Sequence, residues 1–320
     1  MAKVKHLAIV DLGSNSVRLK ITQIQAEGDY ETVRYEKRYV RLASNMGPQK
    51  VLKPAPMQRT IAALAEFREI CDQYKNLTII AVATAATRQA QNRLAFLKQA
   101  KKQTGFDIHV ISGEREAYLD YVGVTRTLLA EHGLIIDTGG ASMELIGLNN
   151  QVAEETVSVP IGSVLLSQRY HLGDVIKPAD LFDATVHIDQ VLAEQQWLNR
   201  FKNSKIYAIG GCNRALAKVY RWQQALNPDE VRPVHGLTMK SEEAFANVHH
   251  LLEIDRQARA NIHGITKTRA DVIVGGLLPI VTIARQLGIG EICFSSSGLR
   301  EGLLYTYLDQ HLDLAELVSE

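Results

Sequence analysis

Residues 134–147 read Leu-Ile-Ile-Asp-Thr-Gly-Gly-Ala-Ser-Met-Glu-Leu-Ile-Gly. Three aliphatic residues run into an acid, Asp137, and a turn of small residues, Thr138 to Ser142, follows. Met143 to Gly147 then alternates again. This predicts a short buried strand, a tight turn and a second strand. The same device stands 126 residues earlier. His6 to Asp11 is a buried strand ending in an acid, Gly13-Ser14-Asn15-Ser16 is the turn, and Val17 to Gln25 alternates apolar and polar residues. One β-hairpin with Asp, Gly and Ser at its mouth is thus used twice.

Outward from the hairpins, helices and strands alternate in both halves. Helical spacing predicts helices over 60–74, 91–104 (ended by Gly105), from Glu114, over 213–222, through most of 265–285 and over 300–308. Strands are expected at 77–84, 107–112, 205–209 and 291–295. Alternation of this kind implies an α/β fold with covered sheets.

The composition fits. Of 320 residues, 46% are hydrophobic and 22% charged, which argues against disorder. The longest uncharged apolar stretch, Val272 to Ala284, is shorter than the roughly 20 residues of a membrane span, and no membrane association is expected. The N-terminal apolar run stops at Asp11, too early for a signal peptide. The three cysteines form no CxxC pair, so a disulfide framework or zinc cluster is not expected, and the cytoplasm is the natural compartment. Residues 1–125 carry a net charge of +7 and residues 126–320 a net charge of −6. A basic half can draw in an anionic substrate. No nucleic-acid partner is expected.

The glycine turns at 12–16, 138–142, 210–213 and 296–298 carry the chemistry. Successive small residues expose backbone N–H groups that can hold phosphate oxygens. This makes Gly13, Ser14, Asn15, Ser16, Gly139, Gly140, Ala141, Ser142, Gly210 and Gly211 candidate phosphate contacts. Carboxylates beside a phosphate commonly hold Mg²⁺ (or Mn²⁺), so Asp11, Asp137 and Glu144 are the candidate metal ligands. P-loop, dinucleotide-binding, HExxH and GxSxG patterns are absent from the sequence. His249-His250 reads as exposed helix.

The set Asp11-Leu12-Gly13-Ser14-Asn15-Ser16, Ala83-Thr84-Ala85-Ala86-Thr87-Arg88, Ile111-Ser112-Gly113-Glu114-Arg115-Glu116-Ala117 and Asp137 to Leu145 resembles the exopolyphosphatase / guanosine pentaphosphate phosphohydrolase (Ppx/GppA) family. Ile209-Gly210-Gly211, Arg269 to Ile273 and Ser297 to Gly302 fit it too, in the family's order. The resemblance implies an α/β fold of duplicated actin-like ATPase / sugar-kinase-type (ribonuclease H-like) domains with an interdomain cleft. The domains would be 1–125 and 126–320, with the last helix able to pack back on the first. The chain resembles the family's short form, for which no C-terminal helical domain is expected, and a homodimer is in keeping with it.

The resemblance also implies Mg²⁺-assisted hydrolysis of the terminal phosphate of inorganic polyphosphate, with Glu116 as the base that activates water. Glu114 is the rival base. Arg18, Arg88 and Arg269 are implied to bind phosphate. The alternatives are guanosine pentaphosphate as substrate, a kinase of the same superfamily, and a non-catalytic protein that binds polyphosphate or the alarmone. The sequence departs from the family at three places. Ala141 stands where a glycine is usual, Met143 where a threonine is usual, and Cys212 where a hydroxyl residue is usual. Each change removes polarity near the expected phosphate, and Cys212 is expected to be a small buried residue.

Overall fold

Each acid-tipped hairpin opens a sheet. The computed structural model that shows this describes residues 4–25, 28–225 and 232–310. The described residues form two units: one runs to Glu116 and includes those from Leu303 onward, the other is Ala117–Gly302.

In the first unit, β1 (Lys5–Leu12), β2 (Ser16–Ile24) and β3 (Tyr30–Tyr39) form an antiparallel meander. Helix α1 (Pro54–Cys71) leads to β4 (Leu77–Ala83), which returns parallel to β1. Helices α2 (Ala85–Gln89) and α3 (Arg93–Thr104) lead to β5 (Ile108–Val110), giving the order β3-β2-β1-β4-β5. Leu7 to Leu12 are all buried, as a central strand flanked on both edges requires. α1 begins six residues before the expected Thr60, because Pro54 and Pro56 fall in its first turn, where a missing N–H costs nothing. α3 ends as expected at Gly105, which takes the left-handed φ of +72°. β3 was not expected. It is an edge strand whose first six residues are exposed, so no buried face marks it in the sequence.

Helix α4 (Gly113–Thr125) carries the chain into the second unit. There β6 (Gly133–Thr138), β7 (Met143–Asn149) and β8 (Val152–Val159) form the second meander, followed by helices α5 (Ser163–Arg169) and α6 (Pro178–Ala193). Strand β9 (Lys205–Gly210) is parallel to β6 and leads into α7 (Gly211–Gln224). After β10 (Thr238–Lys240) come α8 (Ser241–Glu253), α9 (Arg256–Ala260), α10 (Ile273–Leu287), β11 (Glu291–Phe294) and α11 (Leu299–Leu308). The sheet order is β10-β11-β9-β6-β7-β8.

Without β10, that order and its strand directions repeat the first sheet. Even the β-bulge recurs. It lies at Ile21/Thr22 on β2 and at Gly147/Leu148 on β7, the same offset from each hairpin acid. The duplicated α/β fold of actin-like, ribonuclease H-like type is therefore present. One expected helix is shorter than its apolar pattern. α10 starts at Ile273, because Arg269, Ala270 and Val272 instead close tight turns onto Thr266 and Arg269. Among the described residues no helix is long and apolar enough to cross a membrane. The three cysteines are buried and free, and burial pushes the Cys71 thiol up to about 11. His249 and His250 are exposed on α8, near Glu253.

Candidate active site

The two hairpin mouths are built alike. Gly13 N–H donates to Ser16 O (3.1 Å), and Gly139 N–H donates to Ser142 O (3.0 Å). Register places Asp11 opposite Arg18, and at the matching position Asp137 opposite Glu144. The repeat has diverged where it matters for charge. The first mouth pairs an acid with a base, while the second pairs two acids.

In the first unit, Arg18 Nη1 donates to Asp11 Oδ2 at 3.0 Å. The turn is braced from outside: Val40 and Arg41 N–H donate to Asn15 O, Ala43 N–H to Ser14 O, and Ala86 N–H to Ser14 Oγ. Ser14 and Ser16 are buried, whereas Gly13, Asn15 and Arg18 are half-buried. Ser112 caps α4 by accepting the Arg115 N–H. Glu116 follows in the first turn of α4, where the helix dipole favours a negative charge. Arg88 Nη1 donates to Glu116 Oε2 at 3.0 Å and to Ile111 O at 2.9 Å. Of the rival acids, Glu114 is exposed and Glu116 is buried against Arg88. The pair sits two residues apart on a helix, about 200° around its axis.

In the second unit, the turn is held by the start of α5. Gly139 O accepts from Ser163 N–H, and Gly140 O accepts from Val164 and Leu165 N–H. The peptide planes are trans, so the N–H groups of Gly140 and Ala141 point away from α5. Ala141 is buried and has no left-handed φ, so the extra methyl is accommodated without strain. Met143 is fully buried.

Glu144 is also fully buried, and its Oε1 accepts from Ser142 Oγ (2.7 Å) and Ser158 Oγ (2.8 Å). Thr138 Oγ1 accepts from Asn213 Nδ2 at 3.2 Å. Gly210, at φ +95°, brings its bare Cα beside Asp137, where a Cβ would lie 2.6 Å from Oδ1. Gly211 faces Arg269 in the same way: a Cβ there would fall inside the guanidinium. Arg269 Nη1 donates to Cys212 Sγ at 3.2 Å. Cys212 is therefore a buried neighbour of an expected phosphate-binding arginine.

Among the described residues, the carboxylates close enough to share a cation are Asp120, Asp137 and Glu144, with one oxygen from each lying within 4.8 Å of the others. Like charges at that distance repel by roughly 3 kcal/mol per pair at an effective dielectric constant near 20. A bound cation removes that repulsion. Three hard oxygen donors suit Mg²⁺ or Mn²⁺, so the residues fit the metal expected for them. Asp137 and Glu144 are thus brought together, and Asp11 lies in the first unit with Arg18 against it. Motif reading missed Asp120. Its signal is position: it stands four residues after Glu116, one helical turn on, and therefore on the same face of α4.

The model of the Ppx/GppA phosphatase family matches residues 21–311. The chain belongs to this family. Among solved family structures, an exopolyphosphatase from Cytophaga hutchinsonii superposes with a TM-score of 0.86 at 26% identity, over 96% of this chain and 98% of that one. The Aquifex aeolicus family member superposes with a TM-score of 0.77 at 25% identity, over 97% and 100%. Among curated relatives, the guanosine-5'-triphosphate,3'-diphosphate pyrophosphatase of Pseudoalteromonas translucida is 32% identical over 306 residues, 95% of this chain and 59% of that protein. The chain spans about half the length of the curated relatives it matches, 45% and 59% for two of them.

Proposed function

We propose that this Ppx/GppA protein is an exopolyphosphatase that releases the terminal phosphate of inorganic polyphosphate by direct attack of water. The observation that carries this reading is the doubled acid at the second hairpin mouth, next to amides directed away from α5. Such a mouth suits an anion and a cation together. In this reading the N–H groups of Gly140 and Ala141 hold the terminal phosphoryl oxygens, with the guanidinium group of Arg269 as a further donor, and in the first unit Asn15 and the guanidinium groups of Arg18 and Arg88 offer donors of the same kind. Asp11 orients Arg18.

Glu116 accepts a proton from water as the water oxygen bonds to the terminal phosphorus. The bond from that phosphorus to the bridging oxygen breaks, and its electron pair leaves on the shortened chain. Orthophosphate and a polyphosphate one unit shorter result. Asp137 and Glu144 would hold a divalent cation, which stabilises charge on phosphoryl oxygens when bound.

Charge supports polyphosphate. Residues 37–65 and 73–106 each contain six lysines and arginines and no acid. A long polyanion gains from every such cation, and a nucleotide gains from few. The name of the Pseudoalteromonas relative favours guanosine pentaphosphate as the second reading. Orthophosphate release from both substrates under Mg²⁺ separates them. Long-chain polyphosphate is expected to give the higher kcat/KM by about tenfold or more, with a steep loss on added salt. The reverse preference would assign the nucleotide. Tight binding with no release from either would make the protein a non-catalytic binder.

A further inference from the structure

α4 brings a carboxylate to the second hairpin that no motif marks. We propose that Asp120 is a ligand of the same divalent cation as Asp137 and Glu144, so that one helix carries both the base, Glu116, and a metal ligand one turn further on. The inference rests on the hydrolase reading above and adds a residue to it.

Burial is the first argument. Asp120 and Glu144 are 0% exposed, and an aspartate that deep is found paired or coordinating a cation. The cradle around the three acids is the second. Each carboxylate lies against a bare glycine Cα. A Cβ at Gly298 would stand 3.0 Å from Asp120 Oδ1, one at Gly210 would stand 2.6 Å from Asp137 Oδ1, and one at Gly139 would stand 3.9 Å from Glu144 Oε2. Three separate glycine turns, at 138–142, 210–213 and 296–298, thus stand beside the three carboxylates, and a side chain at Gly210 or Gly298 would crowd an acid.

Glu144 adds a third argument. Its Oε1 is taken by two serine hydroxyls, which fixes the carboxylate plane, and Oε2 is the oxygen on the Gly139 side. The approach of α4 is also enforced by glycine. A Cβ at Gly302 would strike Leu119 O, and one at Gly123 would strike the Gly298 carbonyl. Side chains at these positions would push α4 off and carry Asp120 away. The Gly298 turn therefore contributes by letting Asp120 in.

The test is direct titration of the full chain with Mn²⁺, followed by electron paramagnetic resonance and calorimetry without substrate. Wild type is expected to bind one ion. Asp120→Asn is expected to weaken binding at least tenfold while its metal-free form still melts cooperatively as a folded protein. Gly298→Ala, which crowds Asp120 without changing it, is expected to weaken binding in the same direction. Glu116→Gln is expected to bind Mn²⁺ as wild type does. Asp120→Asn binding like wild type while Asp137→Asn loses the ion would overturn the assignment of Asp120 and leave the hydrolase reading standing. Failure of wild type itself to bind Mn²⁺ would overturn both.

Discussion

Glu116→Gln is expected to lower turnover by about 10²- to 10⁴-fold while substrate binding stays within a few-fold of wild type. Gln keeps the shape of the side chain and an oxygen for Arg88, so the 3.0 Å contact can persist. What it loses is the capacity to take a proton from water. The effect therefore belongs in kcat, and KM should hardly move. Glu114→Gln is the internal control. Glu114 shares the first turn of α4 but is exposed, and its replacement should leave turnover within about twofold. Steady-state kinetics on purified variants checks both. Near-normal turnover in Glu116→Gln would place the base elsewhere.

Gly210→Ala should be strongly destabilising. Alanine at φ +95° is strained, at about 1–3 kcal/mol, whatever the space around it. The space is also occupied: Asp137 Oδ1 and Thr138 O both lie 2.6 Å from where the Cβ would sit. Overpacking adds about 1–3 kcal/mol more, for a total of about 2–6 kcal/mol. Relief requires moving both Asp137 and the Thr138 backbone, so residual folded protein should also bind metal poorly. Gly290→Ala is the control, since Gly290 has open space around it and no left-handed φ. Urea unfolding of the two variants should show a large loss for Gly210→Ala and a change within about 0.5 kcal/mol for Gly290→Ala.

The parts of the fold legible from sequence were those with a buried face. β1 and β6 announce themselves by aliphatic runs ending in an acid, and the small-residue turns follow at once. β3 and β8 were not read, because an edge strand with exposed side chains has no apolar alternation to detect. The start of α10 departs from its apolar pattern for a different reason. Ile265 to Val272 has helical apolar spacing, but tight hydrogen-bonded turns there place Arg269 on Gly211, and tertiary contacts outrank local pattern.

At the candidate site, motif glycines and acids were readable because each needs a particular residue type. Asp120 was not. A single aspartate within a helix looks like any solvated acid until the fold buries it beside Asp137 and Glu144. The pairing of Asp11 with Arg18 is equally hidden in the sequence. Only the hairpin register shows that the first mouth is neutralised across the turn and the second is not.

The proposed reaction is attack of water on the terminal phosphorus of a polyphosphate chain. Hydrolysis in H₂¹⁸O, with mass analysis of both products, tests it most directly. One water-derived oxygen is expected in each orthophosphate released and none in the shortened chain. Label on the remaining chain, or phosphate passed to an added hydroxyl acceptor in place of water, would contradict it.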